Sequence, residues 1–283
     1  MTAPALPSCK TLLLKRERAR LYVTLSDPAT RNALSPAMRE ELSAVLDAAA
    51  RDDTLRALIL RGANGVFCSG GNIGGFREAI AAVAPPGGRD PIAASNRVFG
   101  DLMLQLHALP KVVIAVVEGP AFGGGFGLAC AADIAIAKAD AKFALSEATL
   151  GLVPAQIAPF VVKRVGLSEA RRLALTGTRI GADEAYRIGL VHYLAADDAA
   201  LEKILAEVLD ASGRCAIGAI AATKEVLLAT QDQPVSEVLD RATELFAQQM
   251  RGPEGHEGVA AFLEKRPANW VDKCGVDKLE TPK

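Results

Sequence analysis

The chain has 283 residues, 50% of them hydrophobic, with 32 Lys and Arg against 33 Asp and Glu and a formal net charge of −1. That is enough apolar material for one substantial core, and the missing basic excess argues against a nucleic-acid partner. No uninterrupted apolar run is long enough to cross a bilayer, and Met1 to Ser8 lacks the basic-then-apolar pattern of a signal peptide, so a cytoplasmic protein without a membrane partner is expected. Cys9, Cys68, Cys130, Cys215 and Cys274 are scattered and odd in number, which fits reduced thiols rather than a disulfide framework. His107, His192 and His256 share no motif, and no metal site is expected.

In chain order, Thr11 to Lys15 and Arg20 to Leu25 predict two strands around a charged turn. Ser35 is placed to cap a helix that starts at Pro36, with Met38, Leu42, Val45 and Leu46 as its apolar stripe. A strand follows near Ala57 to Arg61. Phe76 to Ile80 suits a helix, but Ala84 to Pro91 does not continue one, and a mobile loop over a site is expected there. Helical spacing resumes from Asn96 to Leu109, with Val98, Leu102, Leu106 and Leu109 apolar. Val112 to Val117, Asp133 to Ala137 and Phe143 to Leu145 predict strands. Helices are then expected over Pro159 to Val165, Ser168 to Leu175, Ala182 to Ile188, Ala199 to Ala211, Ala216 to Thr230, Val235 to Met250 and Pro253 to Glu264. Strands interleaved with helices, then helices alone, give an α/β core with a helical C-terminal part.

Two glycine-rich segments carry the chemistry. Gly119 to Gly127 follows the apolar run Val112 to Val117 and contains three consecutive glycines. Such a run suits backbone that must approach something closely, and at a helix start it offers free N–H groups. The second segment, Val66 to Phe76, follows the strand near Ala57. Two strands that each lead into a glycine turn could aim two backbone N–H groups at one oxygen, the arrangement of an oxyanion hole. Cys68 lies in this second segment but has no local base, so it is not expected to be a nucleophile.

Phe67-Cys68-Ser69-Gly70-Gly71-Asn72-Ile73 and Gly119 to Gly125 with Ala132-Asp133-Ile134 resemble two signatures of the enoyl-CoA hydratase/isomerase (crotonase) superfamily. Arg31-Asn32-Ala33-Leu34, Phe143 to Glu147 with Gly151 to Pro154, Leu175-Thr176-Gly177 and Glu257 to Arg266 add further matches in the same order. The resemblance implies a β-β-α spiral core, taken as residues 1–200, and a C-terminal helical trimerisation region, taken as residues 201–283. It implies a homotrimer or dimer of trimers. Coenzyme A would enter as part of an acyl-CoA thioester substrate, with no covalently bound cofactor.

By motif position, the resemblance makes the N–H groups of Gly71 and Gly124 the oxyanion donors and Glu147 the acid/base. The residues alone favour reading Glu147 as an anion in the first turn of a helix. Arg31 and Ala33, Cys68, and Gly70, Gly71, Asn72 and Ile73 resemble the cradle for CoA, as does Gly124. Arg31 is also readable as a solvated loop residue. Phe262 and Lys265 resemble residues that approach CoA in a neighbouring subunit, and are otherwise a core aromatic and a helix-terminal cation. One departure stands out: Gly127 occupies the position where the best-known hydratases carry a second glutamate.

The version Gly-Gly-Gly-Phe-Gly-Leu, with Gly151 to Val162, is most similar to methylglutaconyl-CoA and isohexenylglutaconyl-CoA hydratases. Gln156 could orient water there, or could cap a helix. A distal carboxylate on such a substrate could meet Arg77, Arg89 or Arg97. Three readings follow: hydration of a 2-enoyl-CoA with one glutamate, an enoyl-CoA isomerase on the same scaffold, and a non-catalytic acyl-CoA-binding protein.

Overall fold

The computed structural model describes residues 5–81 and 87–271; the side chains at 77 and 78 also fall outside the described set. The strands are β1 (Leu12–Glu17), β2 (Arg20–Leu25), β3 (Ala57–Gly62), β4 (Val112–Val117), β5 (Ala121–Phe122), β6 (Ile134–Lys138), β7 (Lys142–Ala144), β8 (Arg179–Gly181) and β9 (Tyr193–Ala195). The helices are α1 (Pro36–Ala50), α2 (Ile73–Ala81), α3 (Pro91–Ala108), α4 (Gly124–Ala131), α5 (Ala158–Thr176), α6 (Ala182–Arg187), α7 (Asp198–Gly213), α8 (Ile217–Ala229), α9 (Val235–Arg251) and α10 (Pro253–Leu263).

A six-stranded sheet runs in the order β1-β2-β3-β4-β6-β9, and a small one in the order β5-β7-β8. In the large sheet only the β1–β2 hairpin is antiparallel. Side chains alternate across it. Leu58, Leu60, Val113, Ala115 and Val117 face a core shared with α1, α3, α4 and α5, while Ile59, Ile114, Val116 and Ile136 meet Leu201, Leu205, Val208 and Leu209 of α7. With both faces covered, β4 needs no polar alternation, which is why it is a continuous apolar run.

The capping expectation at α1 holds: Ser35 accepts from Met38 N–H, and Met38, Leu42, Val45 and Leu46 are all buried. The start of α3 differs. Pro91 does not end a segment but opens α3, with the Asp90 side chain accepting from Ile92 and Ala93 N–H. Proline in the first turn gives up an N–H that has no intrahelical partner anyway. The expected loop is thus shorter at this end; its 82–86 part lies outside the described residues. Along α3, Leu102 and Leu106 are buried as expected, but Val98 is 56% exposed and Met103 replaces it inward. The two helices expected between Pro159 and Leu175 are present as the two halves of α5, which meet in a kink at Gly166, where φ is 75°.

The C-terminal helices are tied to the sheet by one buried cation. Lys224 on α8 is 9% exposed and donates to the carbonyls of Leu109 and Lys111 and to Asp133 Oδ2, at 2.9, 3.1 and 2.7 Å. Asp133 Oδ2 also accepts from Val113 N–H. Burial lowers the Lys224 pKa and Asp133 raises it in part. Replacing Lys224 by Ala leaves two carbonyls and a carboxylate short of a donor. We predict a loss of about 3 kcal/mol, the low end for breaking a buried pair because Asp133 keeps some solvent access, to be read from urea unfolding.

Candidate active site

The two glycine turns meet through a single parallel bridge between Cys68 and Ala121. Cys68 N–H donates to Pro120 O at 3.0 Å, and Phe122 N–H donates to Cys68 O at 2.9 Å. The contact is closer than ordinary side chains allow. Gly70 has φ +98°, and a Cβ on it would stand 2.9 Å from Phe122 O; a Cβ on Gly125 would stand 2.6 Å from Cys68 O. Gly123, with φ +49° and ψ −113°, turns the chain from β5 into α4, a conformation that glycine adopts without a Cβ penalty.

The predicted donors sit where the turns end. Gly124 opens α4, so its N–H has no intrahelical acceptor. Among the described residues Gly71 N–H likewise finds no acceptor, while Leu34 N–H donates to the preceding carbonyl of Gly70. Apolar groups roof both positions. A Cβ on Gly124 would lie 2.6 Å from Leu34 Cδ1 and 3.3 Å from Phe99 Cζ, and one on Gly71 would lie 2.9 Å from Phe76 Cζ.

Glu147 begins a single 3-10 turn, Glu147–Leu150, directly after β7 and Ser146. Gly123 N–H donates to Ala144 O at 2.9 Å, which brings the end of β7 beside the glycine run. The carboxyl turns towards it: Oε1 stands 2.9 Å from where a Gly123 Cβ would be. Oε2 is buried and has no hydrogen-bond partner. Loss of hydration raises the Glu147 pKa, offset only in part by its own backbone N–H. This is a half-buried acid beside the candidate oxyanion donors, not an ion in bulk water.

Other expected residues fall at different distances from this centre. Arg31 is exposed and Ala33 buried, both on the turn before α1. Asn32, between them, locks that turn to the approach to Gly70: its Nδ2 donates to Ala63 O and Val66 O, and its Oδ1 accepts from Asp27 N–H. Cys68 is fully buried, and burial pushes its thiol up to about 12, which suits packing rather than nucleophilic attack. Asn72 leads into α2, where Ile73 is exposed. Phe262, read from sequence as a core aromatic if not a CoA contact, is 83% exposed near the end of α10. Lys265 follows it with φ +52°. Among the described residues of a single copy, no hydrogen bond or ion pair joins either of these two to Glu147. Among the described residues no cluster of three or more His, Cys, Asp or Glu could hold a metal ion, and no helix is long and apolar enough to cross a membrane.

Sequence reasoning missed the residues that shape the site from a distance. The hollow at Gly127 is filled: a Cβ there would overlap Ile157 Cγ2, lie 2.8 Å from Ile157 Cβ and 3.4 Å from Met103 Cε. Ile157 and Met103 are ordinary apolar residues by spacing, and only the packing shows what they do. Gln156 is committed to Asn96, its Nε2 donating to Asn96 Oδ1 at 2.8 Å.

Comparison with known proteins agrees with this geometry. The profile of the family described as enoyl-CoA hydratase/isomerase matches residues 15–273. The enoyl-CoA hydratase EchA19 of Mycobacterium tuberculosis is 34% identical over 92% of this chain and 96% of its own. The 2,3-dehydroadipyl-CoA hydratase of Escherichia coli is 32% identical over 90% and 96%. The solved structure of Pseudomonas aeruginosa AtuE superposes with a TM-score of 0.88, at 49% identity, over 93% of this chain and all of that one.

Two stability predictions follow from the packing. Gly127→Glu forces Ile157 aside, so we expect about 1–3 kcal/mol of destabilisation from overpacking and no gain in turnover, measured by urea unfolding and by assay. Glu147→Gln acts in the opposite sense. Because the folded-state pKa of Glu147 is raised, the unfolded chain ionises first as pH rises from the ordinary carboxylate range. Stability is therefore lost across that interval. The Gln variant escapes the loss, and its melting temperature should exceed that of the wild type at pH 7 by more than at pH 4.

Proposed function

The chain belongs to the enoyl-CoA hydratase/isomerase family, and on that premise we propose that it is an enzyme that hydrates 2-enoyl-CoA thioesters. The observation that carries this reading is the Glu147 carboxyl turned to Gly123, one residue from the free N–H of Gly124, with one oxygen buried and unpartnered. The water oxygen bonds to Cβ and the C=C π pair moves towards the thioester oxygen. Gly71 and Gly124 donate to that oxygen as its charge grows, which stabilises the transition state more than the bound substrate. Glu147 takes a proton from the water and returns one to Cα, leaving a 3-hydroxyacyl-CoA. A raised pKa suits a group that must hold the proton between those two transfers.

A second reading is an enoyl-CoA isomerase, in which the same carboxyl moves one proton between carbons of the acyl chain. It is favoured by the absence of a second carboxylate at Gly127 and by Ile157 occupying that space. For the acyl group we propose a branched glutaconyl type, methylglutaconyl or isohexenylglutaconyl, supported by the resemblance of Gly123 to Leu128 and Gly151 to Val162 to those hydratases. CoA would lie along Arg31, Ala33 and Cys68 to Ile73, with Phe262 and Lys265 reaching it from a neighbouring copy in a homotrimer or dimer of trimers. The support is the run of exposed apolar side chains, Phe246 and Met250 on α9 with Phe262 and Leu263 on α10, which a lone chain leaves uncovered.

The decisive variant is Glu147→Gln. Turnover of a 2-enoyl-CoA should fall by about 10³-fold, while affinity for a saturated acyl-CoA stays within about threefold. In the wild type, 3-hydroxyacyl product identifies hydration and a shifted double bond identifies isomerisation. Near wild-type turnover in the Gln variant overturns the assignment of Glu147.

A further inference from the structure

Both candidate donors belong to peptides between two glycines, Gly70–Gly71 and Gly123–Gly124. With no Cβ on either flank, such a peptide turns over at little steric cost, so the direction of its N–H has to be set from outside. In a trans peptide the C=O and the N–H point opposite ways. A hydrogen bond to the carbonyl therefore fixes the N–H of the next residue. The Gly123 carbonyl has that bond within α4 itself, from Gly127 N–H at 3.0 Å. The Gly70 carbonyl has it from Leu34 N–H at 2.8 Å. Leu34 pairs with Gly71 in an isolated parallel bridge. In such a bridge a residue bonds to the two residues that flank its partner, so the Gly71 N–H is turned away from Leu34. A Cβ on Gly70 would stand 2.9 Å from Phe122 O and 3.7 Å from Gly123 Cα, which makes the two Gly–Gly peptides neighbours.

The two locks are unequal. One is a turn of helix. The other hangs on the irregular turn from Asp27 to Leu34, where Arg31 and Asn32 both hold left-handed φ, +57° and +59°. Two such residues in a row are costly without glycine, and asparagine is among the few that accept the conformation. The Asn32 side chain holds this turn from inside. It is 1% exposed. Its Nδ2 donates to Ala63 O at 3.0 Å and to Val66 O at 2.7 Å, and its Oδ1 accepts from Asp27 N–H at 2.9 Å. The carboxamide thus fastens the turn to the connection that runs from β3 to Gly70. Ser69 adds two bonds between the same segments, its N–H to Arg31 O at 3.2 Å and its Oγ to Thr30 O at 2.9 Å.

We propose that Asn32 is a positioning residue for the Gly71 donor: by holding the turn before α1 it keeps Leu34 N–H on the Gly70 carbonyl, and so keeps the Gly71 N–H from turning over. The assignment rests on the reading of Gly71 and Gly124 as donors to a thioester oxygen, but not on hydration itself.

The test is the infrared C=O stretch of bound butanoyl-CoA, isotope-labelled at the thioester carbonyl. This saturated thioester has no double bond to hydrate, and each donor to its oxygen lowers the stretch. In the wild type the stretch should fall clearly below its value in water. Asn32→Gly keeps a residue that takes left-handed φ freely and removes the carboxamide. At saturating ligand its shift should be about half that of the wild type, as for loss of one donor of two, and its turnover of 2-butenoyl-CoA should fall by about 10²-fold. Asn32→Ser, which keeps one donor at that position, should lie between the two. A further variant keeps Asn32 and carries the α-hydroxy analogue of leucine at position 34, so that an ester oxygen stands where the N–H met Gly70 O. It should halve the shift as well. A full shift in Asn32→Gly or Asn32→Ser, alongside a lowered melting temperature, marks a purely structural residue and overturns the proposal. A full shift in the ester variant overturns it too, because the Leu34 bond then does not hold the peptide. A shift absent from the wild type overturns the reading of the two N–H groups as donors, and the proposal with it. A wild type that shows the shift but does not hydrate 2-butenoyl-CoA removes only the hydration of that thioester and leaves Asn32 in place.

Discussion

The whole site depends on two hydrogen bonds, Cys68 N–H to Pro120 O and Phe122 N–H to Cys68 O. They lay the end of one sheet connection against another at a separation only glycines tolerate. Gly70 rests on the Phe122 carbonyl, and Gly125 on that of Cys68. Without this bridge, Gly71 and Gly124 would be the tips of unrelated turns, and their N–H groups would be spent on water. With it, the two turns that carry these N–H groups are held together, as the oxyanion role proposed for them requires.

Around that element the protein places apolar groups over the two glycine turns. Leu34, Phe99 and Phe76 roof the glycines. Glu147 itself has a pKa raised by burial and a buried oxygen without a partner, a cost in folding stability at the position proposed for proton transfer. Stability is recovered elsewhere, as in the fully bonded Lys224 that fastens α8 beneath the sheet.

Much of this was legible in the chain itself. The Ser35 cap with Pro36, the apolar runs of β3 and β4 and the two glycine segments each carry a local signal that the fold obeys. That the two glycine segments could meet was legible from the strand leading into each, but the choice of Gly71 and Gly124 came only through the family resemblance; the contact itself, Cys68 against Ala121, is tertiary. Strands β5, β8 and β9 went unread, since two or three residues give no periodicity and form only because a partner is waiting. Pro91 was read as a breaker when Asp90 made it an initiator. The missing carboxylate at Gly127 was visible, but its replacement by Ile157 is a tertiary contact and left no mark on spacing.

The placement of Gln156 and Ile157 has a consequence for how such a chain can diversify. The short segment that carries them begins at the 3-10 turn of Glu147, so one piece of backbone positions the acid and both walls at once. An insertion or deletion there would shift all three together. Along α3, by contrast, Phe99 over Gly124 can be exchanged without moving the Glu147 carboxyl.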